Sequence, residues 1–404
     1  MKWFACAVLT LVLFACVFHG QTGAPNNPPR EPIFLQHKIG EDRSEGIAVM
    51  DVDRDGKLDV TSGAYWYKAP AELYSAEKWI ANPLRECRRS GEFVVNCGEF
   101  AVDVNRDGYP DLLSAGWQED GIFYFENPNT AGVQWPKKLI TPSRATEGLA
   151  AGDIDGDGGL DLVAAHFSPS SIFWIQVKDG TAVRREVGKQ GDGHGAGIGD
   201  VDGDGKKDIL TIKGWWRQID LAADNWEWMP EWDFQNLAGF EIVVYDVNGD
   251  KFNDIIYGHG HSYGLYWLEQ GRDRDGKRSW TKRVIDESYS QIHNVKLVDL
   301  DGDGKPELLA GKRYRGHNEK DPGSFDPLAI YYYKIDTSKA TFTRYTISYN
   351  STAGAGTQFV VVDLDGDGDV DILTAGKTGQ YWFENMSANR VPWQQRGLLL
   401  ARWE

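Results

Sequence analysis

The feature that most constrains this chain is a nine-residue, Asp-rich unit that returns seven times. It reads DVDRDGKLD from Asp51, DVNRDGYPD from Asp103, DIDGDGGLD from Asp153 and DVDGDGKKD from Asp200. The remaining copies are DVNGDKFND from Asp246, DLDGDGKPE from Asp299 and DLDGDGDVD from Asp363. Successive copies start 46 to 64 residues apart, a period that suits one four-stranded propeller blade.

The surroundings of the unit repeat as well. An apolar stretch precedes it (GIAVM, GLAAG, NVKLV, FVVV) and another follows (LDVTSG, LDLVAA, DILTI, ELLAG). Then comes an aromatic strand such as YWYK, IFYFEN or YWFEN, and often a basic one led by Trp or Phe (WPKKLI, WTKRVI, FTRYTI). Four strands per repeat, with no helical periodicity between them, predict an all-β fold. The expectation is a seven-bladed β-propeller over residues 31–404 with a cation-binding Asp loop in each blade. FLQHKIG matches a fourth strand without the rest of its repeat. It is expected to close the ring against the C-terminal blade and remove the open sheet edges.

Oxygen side chains occupy positions 1, 3, 5 and 9 of every unit. They are Asp51, Asp53, Asp55 and Asp59; Asp103, Asn105, Asp107 and Asp111; Asp153, Asp155, Asp157 and Asp161. The series continues with Asp200, Asp202, Asp204 and Asp208; Asp246, Asn248, Asp250 and Asp254; Asp299, Asp301, Asp303 and Glu307; Asp363, Asp365, Asp367 and Asp371. Carboxylates this close repel one another unless a cation lies among them, and oxygen-only ligation favours Ca²⁺. Up to seven calcium ions are expected, as braces of β-turns and not as catalysts. Gly stands at position 6, where the turn is tight, except in the fifth copy, which has Lys251.

These repeats resemble the FG-GAP/VCBS family. The resemblance covers nearly the whole chain from Glu31 and implies a calcium-bearing β-propeller. Members serve in integrin-like adhesion, as lectin-like modules and as polysaccharide lyases, so the resemblance specifies fold better than activity.

Composition narrows the partners. A formal net charge of -17 argues against nucleic acid or an anionic membrane surface. Lys2 followed by the apolar run Phe4 to Phe18 reads as an export signal over residues 1–24, with 25–30 as a short linker. Leu13-Phe14-Ala15-Cys16 resembles a lipobox, which offers lipidation at Cys16 as an alternative to cleavage near Ala24. The protein is expected to be exported (periplasmic, extracellular or lipid-anchored), with no membrane span. Cys87 and Cys97 would then be the mature chain's only cysteines and are expected to pair.

Function is sought where the repeats differ. Six residues before each first Asp stand Glu45, Cys97, Glu147, His194, Phe240, His293 and Thr357. Thirteen to fifteen residues after it stand Trp117, His166, Lys213, Trp215, His259, His261, Lys312, Arg313 and Lys377, among others. The long last interval adds RYRGHNEKDPGSFDP with His317, and blade four adds the Trp-rich GWWRQIDLAADNWEWMPEWDF. All of these should share the face opposite the Asp loops. Six of the eight histidines fall there, on consecutive blades.

Titratable groups so gathered suit proton transfer near neutral pH. His194 or His293 is the expected base, His259 or His317 the acid, with Glu147 nearby and Lys312 or Arg313 stabilising an anion. Trp117, Trp215 and Trp216 are expected to stack on sugar, with His166, Lys213, His261 and Lys377 binding it. His194, His259 and His293 could instead hold Zn²⁺ or another transition metal. SQIHNVKLVDLDGDG and GAYWYKAP are similar to segments of the propeller part of aldos-2-ulose dehydratase-like proteins, which dehydrate keto-sugars. The resemblance implies a carbohydrate lyase or dehydratase acting by β-elimination on keto-sugars or uronic sugars. The alternative is a non-catalytic lectin- or adhesion-like propeller that binds glycan or protein.

Overall fold

The computed structural model describes residues 31–387, apart from 74–76, 91–92, 95, 145, 168–169, 192 and 236. The export signal, the linker and Cys16 lie outside the described residues. Seven four-stranded antiparallel sheets form the fold. Their first strands are Ala48–Met50, Gly98–Val102, Thr146–Gly152, Ala196–Gly199, Val243–Tyr245, Ile292–Val298 and Phe359–Val362. A two-stranded hairpin, Arg89–Ser90 with Phe93–Val94, sits between the first two blades.

The seventh blade joins the first and the last of the described strands. Phe34–Gly40 pairs antiparallel with Gln380–Asn385, from Phe34 opposite Asn385 to Gly40 opposite Gln380. His37 stacks on Trp382 with centroids 4.4 Å apart, and its Nε2 lies 2.8 Å from Glu384 Oε2. FLQHKIG therefore closes the ring as its strand pattern predicts.

Seven apolar clusters follow, one at each junction between neighbouring blades. Trp66 and Trp135 join blades one and two; Trp174 and Trp216 join three and four; Trp382 and Tyr67 join seven and one. Both faces of every sheet are covered, which explains why the strands read as near-continuous apolar runs.

The Asp loops hold their shape through backbone hydrogen bonds. In the first blade Asp51 accepts the N–H groups of Asp55 at 3.0 Å and Gly56 at 2.9 Å. The carboxylate at position 9 is buried. Asp208 accepts Val201 N–H at 2.9 Å and Gln218 N–H at 3.0 Å, tying the loop to the third strand. Asp59, Asp111, Asp161, Asp254 and Asp371 repeat this pattern. Lys251 adopts the left-handed backbone that glycine supplies elsewhere (φ 71°) and still donates to Asp246 Oδ2 at 3.0 Å. The fifth loop therefore keeps its form without its glycine.

These loops separate two roles that the spacing alone merges. Asp208→Ala leaves two buried N–H groups unpaired and is expected to cost about 2–5 kcal/mol. In Ca²⁺-free buffer, Asp204→Ala, at a partly exposed carboxylate that braces no buried N–H, is expected to cost less than about 1 kcal/mol. Urea unfolding of both variants checks the contrast.

Candidate functional site

The seven residues at or just before the starts of the first strands converge at the propeller axis. Thr357 Oγ1 donates to Glu45 O at 3.1 Å and also to Cys97 O, across the ring. The His194 ring lies 5.3 Å from that of Phe240, which lies 6.1 Å from that of His293. Glu147 Oε2 is 3.3 Å from His194 Nε2. Cys97 is buried in this ring and is not bonded to Cys87, so the expected disulfide is absent. Burial, with Glu147 and Glu45 nearby, pushes its thiol pKa far up and keeps it neutral.

Glycine makes the convergence possible. A Cβ on Gly197 would lie 2.1 Å from Ile242 O, and one on Gly195 2.5 Å from Gly239 O. Only at glycine can the fourth blade approach the fifth this closely. That approach seats His194, whose Nδ1 bonds Ala238 O at 2.9 Å.

Three imidazoles form the centre. Ring centroids of His194, His261 and His293 are 4.4, 5.0 and 5.1 Å apart, with interplanar angles of 69°, 87° and 72°. His261 Nε2 faces His194 Nε2 at 3.0 Å. His261 Nδ1 donates to Asp321 Oδ2 at 3.1 Å, and His293 Nδ1 reaches Gln291 O at 3.4 Å. Desolvation lowers all three pKa values, to about 4 for His194 and His261 and well below the ordinary value for His293. The three rings are neutral at physiological pH.

A charged layer surrounds them. Arg313 donates Nη2 to Glu45 Oε2 at 2.7 Å and Nε to Glu45 Oε1, while its Nη1 lies 3.2 Å from His293 Nε2. Lys377 Nζ is 3.9 Å from the same Glu45. Burial pushes the Glu45 carboxyl up, but the Arg313 and Lys377 charges outweigh it and hold the pKa low. Glu147 is raised, because its burial wins over Arg313 and His261. His317 stacks on His261 at 4.2 Å and 17°, and its Nδ1 meets Asp321 Oδ1 at 2.8 Å. That bond to Asp321 raises the His317 pKa. His317 and Asn318 both lie in the left-handed region (φ 50° and 53°), which costs about 1–2 kcal/mol per residue.

Several expectations need correction. His194 and His293 are 2% and 0% exposed, too enclosed to take a proton from a large substrate, whereas the His317 side chain is 47% exposed. His259 is not the third member of the cluster; its Nδ1 is bound to Tyr263 O at 3.0 Å and its ring packs on Tyr266. His261 takes that place. Trp215 and Trp216 are buried in the blade cores, donating to Glu231 and to Gln190 O, so they cannot stack on sugar. The Trp-rich stretch forms the outer strands Gly214–Asp220 and Asn225–Met229, not a wall of a cleft.

His166 is buried and accepts Arg144 N–H at 2.6 Å, a structural bond. Lys312 is 0% exposed beside Ser290 Oγ, and cannot touch a substrate. Arg313 is committed to Glu45. Lys213 lies exposed in a hairpin turn. Trp117 stays a candidate: it is 38% exposed and lines a cavity of about 740 Å³ with Arg85, Arg88, Lys137 and Arg144. A second cavity, about 960 Å³, is lined by Lys38, Arg43, Arg315 and Lys377 against Glu41 and Glu319, with Tyr314 and Tyr381.

Two organising residues were missed. Asp321 holds both His261 and His317, and its His-x-x-x-Asp spacing from His317 was the available signal. Gln291, buried with φ 58°, accepts Gly316 N–H and anchors the insertion; nothing in its local sequence marks it.

At the other end of the strands, the loop oxygens suit a hard cation. Carboxylates of Asp51, Asp53 and Asp59, of Asp153, Asp155 and Asp161, and of Asp200, Asp202 and Asp208 lie within 4.8 Å of one another. Basic side chains partly balance them: Lys68 on Asp53 and Asp55, Lys178 on Asp157, Arg217 on Asp202.

The family model for FG-GAP-like repeats matches residues 103–164 and 246–310. The chain is a seven-bladed β-propeller that carries FG-GAP-like repeats. No curated protein matches it. Among solved structures it is similar to the Vibrio cholerae biofilm matrix protein Bap1, at 11% identity and a TM-score of 0.43, over 87% of this chain and 89% of that one. An auxiliary nutrient-binding protein of Bacteroides ovatus is similar at 10% identity and a TM-score of 0.45, over 88% and 77%. Among the described residues, no helix of the propeller is long and apolar enough to cross a membrane.

Lys312 supplies a test of the buried charge in this region. Desolvation lowers its pKa to about 8, so between pH 8 and about 10.4 the unfolded chain binds more protons than the folded one. Stability attributable to this group therefore rises with pH across that window. Lys312→Met is expected to stabilise the fold by up to roughly 3 kcal/mol at pH 7. The gain should shrink towards pH 10, as measured by urea unfolding at both values.

Proposed function

We propose that this propeller is an exported, calcium-stabilised protein that acts on an anionic or keto sugar by β-elimination at the axial face. The observation that carries this reading is the His317–Asp321 pair. A half-exposed imidazole has its Nδ1 held by a carboxylate, leaving Nε2 as the proton acceptor. It stands between Arg315 and Asn318, which line the cavity of about 960 Å³. That cavity carries four cations against two carboxylates, a balance suited to a uronate or an enolate. In this scheme His317 removes the proton next to the sugar carbonyl or carboxylate. The electron pair forms the C=C bond as the β-oxygen leaves, and the cationic rim stabilises the developing oxyanion.

The first, third and fifth positions of the Asp loops would hold Ca²⁺, which supplies charge balance and rigidity there. The position-9 carboxylate would reach the same ion while bracing the third strand.

Incubation with uronate polymers and keto-sugars should give the ultraviolet absorbance of an unsaturated product. His317→Gln is expected to reduce turnover about 10²–10⁴-fold with unchanged unfolding. Sugar binding with no product from the parent protein would replace the lyase reading by a glycan-binding one. For the loops, EGTA should lower the unfolding midpoint and excess Ca²⁺ restore it. A site at 100 times its Kd is worth about 2.7 kcal/mol. A midpoint insensitive to both would remove calcium from the account.

A further inference from the structure

We propose that the cavity of about 740 Å³ beside blade two binds one acidic sugar residue of a glycan, with Trp117 as its stacking surface and Arg88 and Arg144 as the clamp on its acid group. This goes beyond the elimination proposed for His317. The two cavities share no lining residue, and binding can be measured without turnover.

Three parts of the chain build the cavity. Residues 85–88 follow the fourth strand of blade one, Ile80–Pro83. Residues 117–120 form the turn between Asp111–Ala115 and Gly121–Phe125, and residues 134–144 contain the fourth strand of blade two, Lys137–Pro142. The turn lies at the axial end of its strands, where the Trp117 backbone N–H meets the sulfur of the buried Cys97. The volume falls within the roughly 300–1,000 Å³ usual for small-molecule sites.

The inner wall is fixed. Arg85 is buried and donates Nε to Gly63 O at 2.8 Å and Nη1 to Ser114 Oγ at 2.8 Å, while Nη2 pairs with Glu99. The same guanidinium lies 4.8 Å from the centre of the Phe125 ring. Trp135 is buried, and its backbone N–H donates to Leu84 O at 2.7 Å. A wall held in this way is ordered before a ligand arrives, which lowers the cost of binding.

Trp117 stands apart from that wall. At 38% exposure it presents a large apolar ring on a short turn, at the edge of a polar cavity. The carbon–hydrogen face of a pyranose can cover such a ring, while the sugar hydroxyls donate to the acids of the rim, Glu86 and Asp120.

The cations select the acid group. Lys137 Nζ is held by Glu119 Oε2 at 2.9 Å and lies 3.7 Å from the centre of the Phe123 ring, so its charge is met within the protein. Arg85 is met by Glu99. That leaves Arg88 and Arg144, both exposed, to face a ligand. Arg144 is anchored through its backbone, whose N–H donates to Nε2 of the buried His166 at 2.6 Å. A guanidinium takes a carboxylate at two points, where a lysine supplies only a point charge. A sulfate ester offers similar oxygens, so the shared chemistry is an oxyanion on a sugar ring, and the test separates its two sources.

The test is calorimetric titration of the full-length His317→Gln protein, in which turnover does not consume the probe. The probes are a galacturonate tetramer, its carboxyl-reduced neutral form and a sulfated galactan tetramer. One acidic probe is expected to bind at least about 10-fold more tightly than the neutral one, and the tighter of the two identifies the acid group as carboxylate or sulfate. Added to this protein, Trp117→Ala should weaken binding of that probe at least about 10-fold, whereas Trp117→Phe, which keeps a ring, should stay within about fivefold. Arg144→Gln should bring the acidic probe to within about threefold of the neutral one. Unfolding midpoints confirm that every variant is folded. Unchanged affinity in folded Trp117→Ala overturns the proposal. So does equal affinity for charged and neutral probes, or binding of none of them. Trp117-dependent binding with no unsaturated product from the parent protein would sustain this site and reject the lyase reading. Product from the parent without Trp117-dependent binding would do the reverse.

Discussion

Closure of the ring is the constraint from which the site follows. Phe34–Gly40 supplies the fourth strand of the last blade, so the first and last parts of the chain are joined by six residue pairings. Once the circle is complete, seven first strands must point their leading ends at one axis. Residues remote in sequence then become neighbours: Arg313 meets Glu45 across 268 positions, and Thr357 meets Cys97 across 260. None of these contacts is local, and an open array of the same blades would make none of those that span the closure.

The Asp loops and the axial residues divide the work by position along the same strands. At the loop end, a buried aspartate fixes the turn to the end of the third strand in six blades, while Glu307 in the sixth braces its loop through Leu300 N–H. At the other end the backbone is spaced by glycines, and the side chains range from Glu, His and Thr to Cys and Phe. A repeat can hold its fold with one set of positions while another set is left to carry chemistry. His194 shows both: the glycines around it allow close approach to the fifth blade, and that approach presents its Nε2 to His261.

Much of this was legible before any coordinates. Period, flanking strands and the unmatched FLQHKIG segment led directly to seven blades and their closure. The position six residues before each first Asp identified His194 and His293 at the axis, but not His261, which reaches it from the turn after the second strand. Reading failed where the backbone leaves the repeat. His259 and His261 are two residues apart and look equivalent, yet the turn binds His259 to Tyr263 O and sends His261 to the axis. Trp215 and Trp216 were expected outside the aromatic core strands, but both lie within the strand Gly214–Asp220. In a propeller both faces of a blade are covered, so Trp215 enters the core between blades four and five and Trp216 that between three and four. The same enclosure buries Lys312.

The sequence by itself determined what repeats: the architecture, the loop chemistry and the list of residues that could reach one face. These depend on local patterning, which seven copies make unmistakable. Only the tertiary structure decided which imidazoles meet, that Arg313 is neutralised by Glu45, and that His317 with Asp321 forms the accessible edge. The reason is that such choices rest on approach distances set by ring closure and by an insertion with left-handed backbone. Neither is encoded in the repeat from which the fold was read.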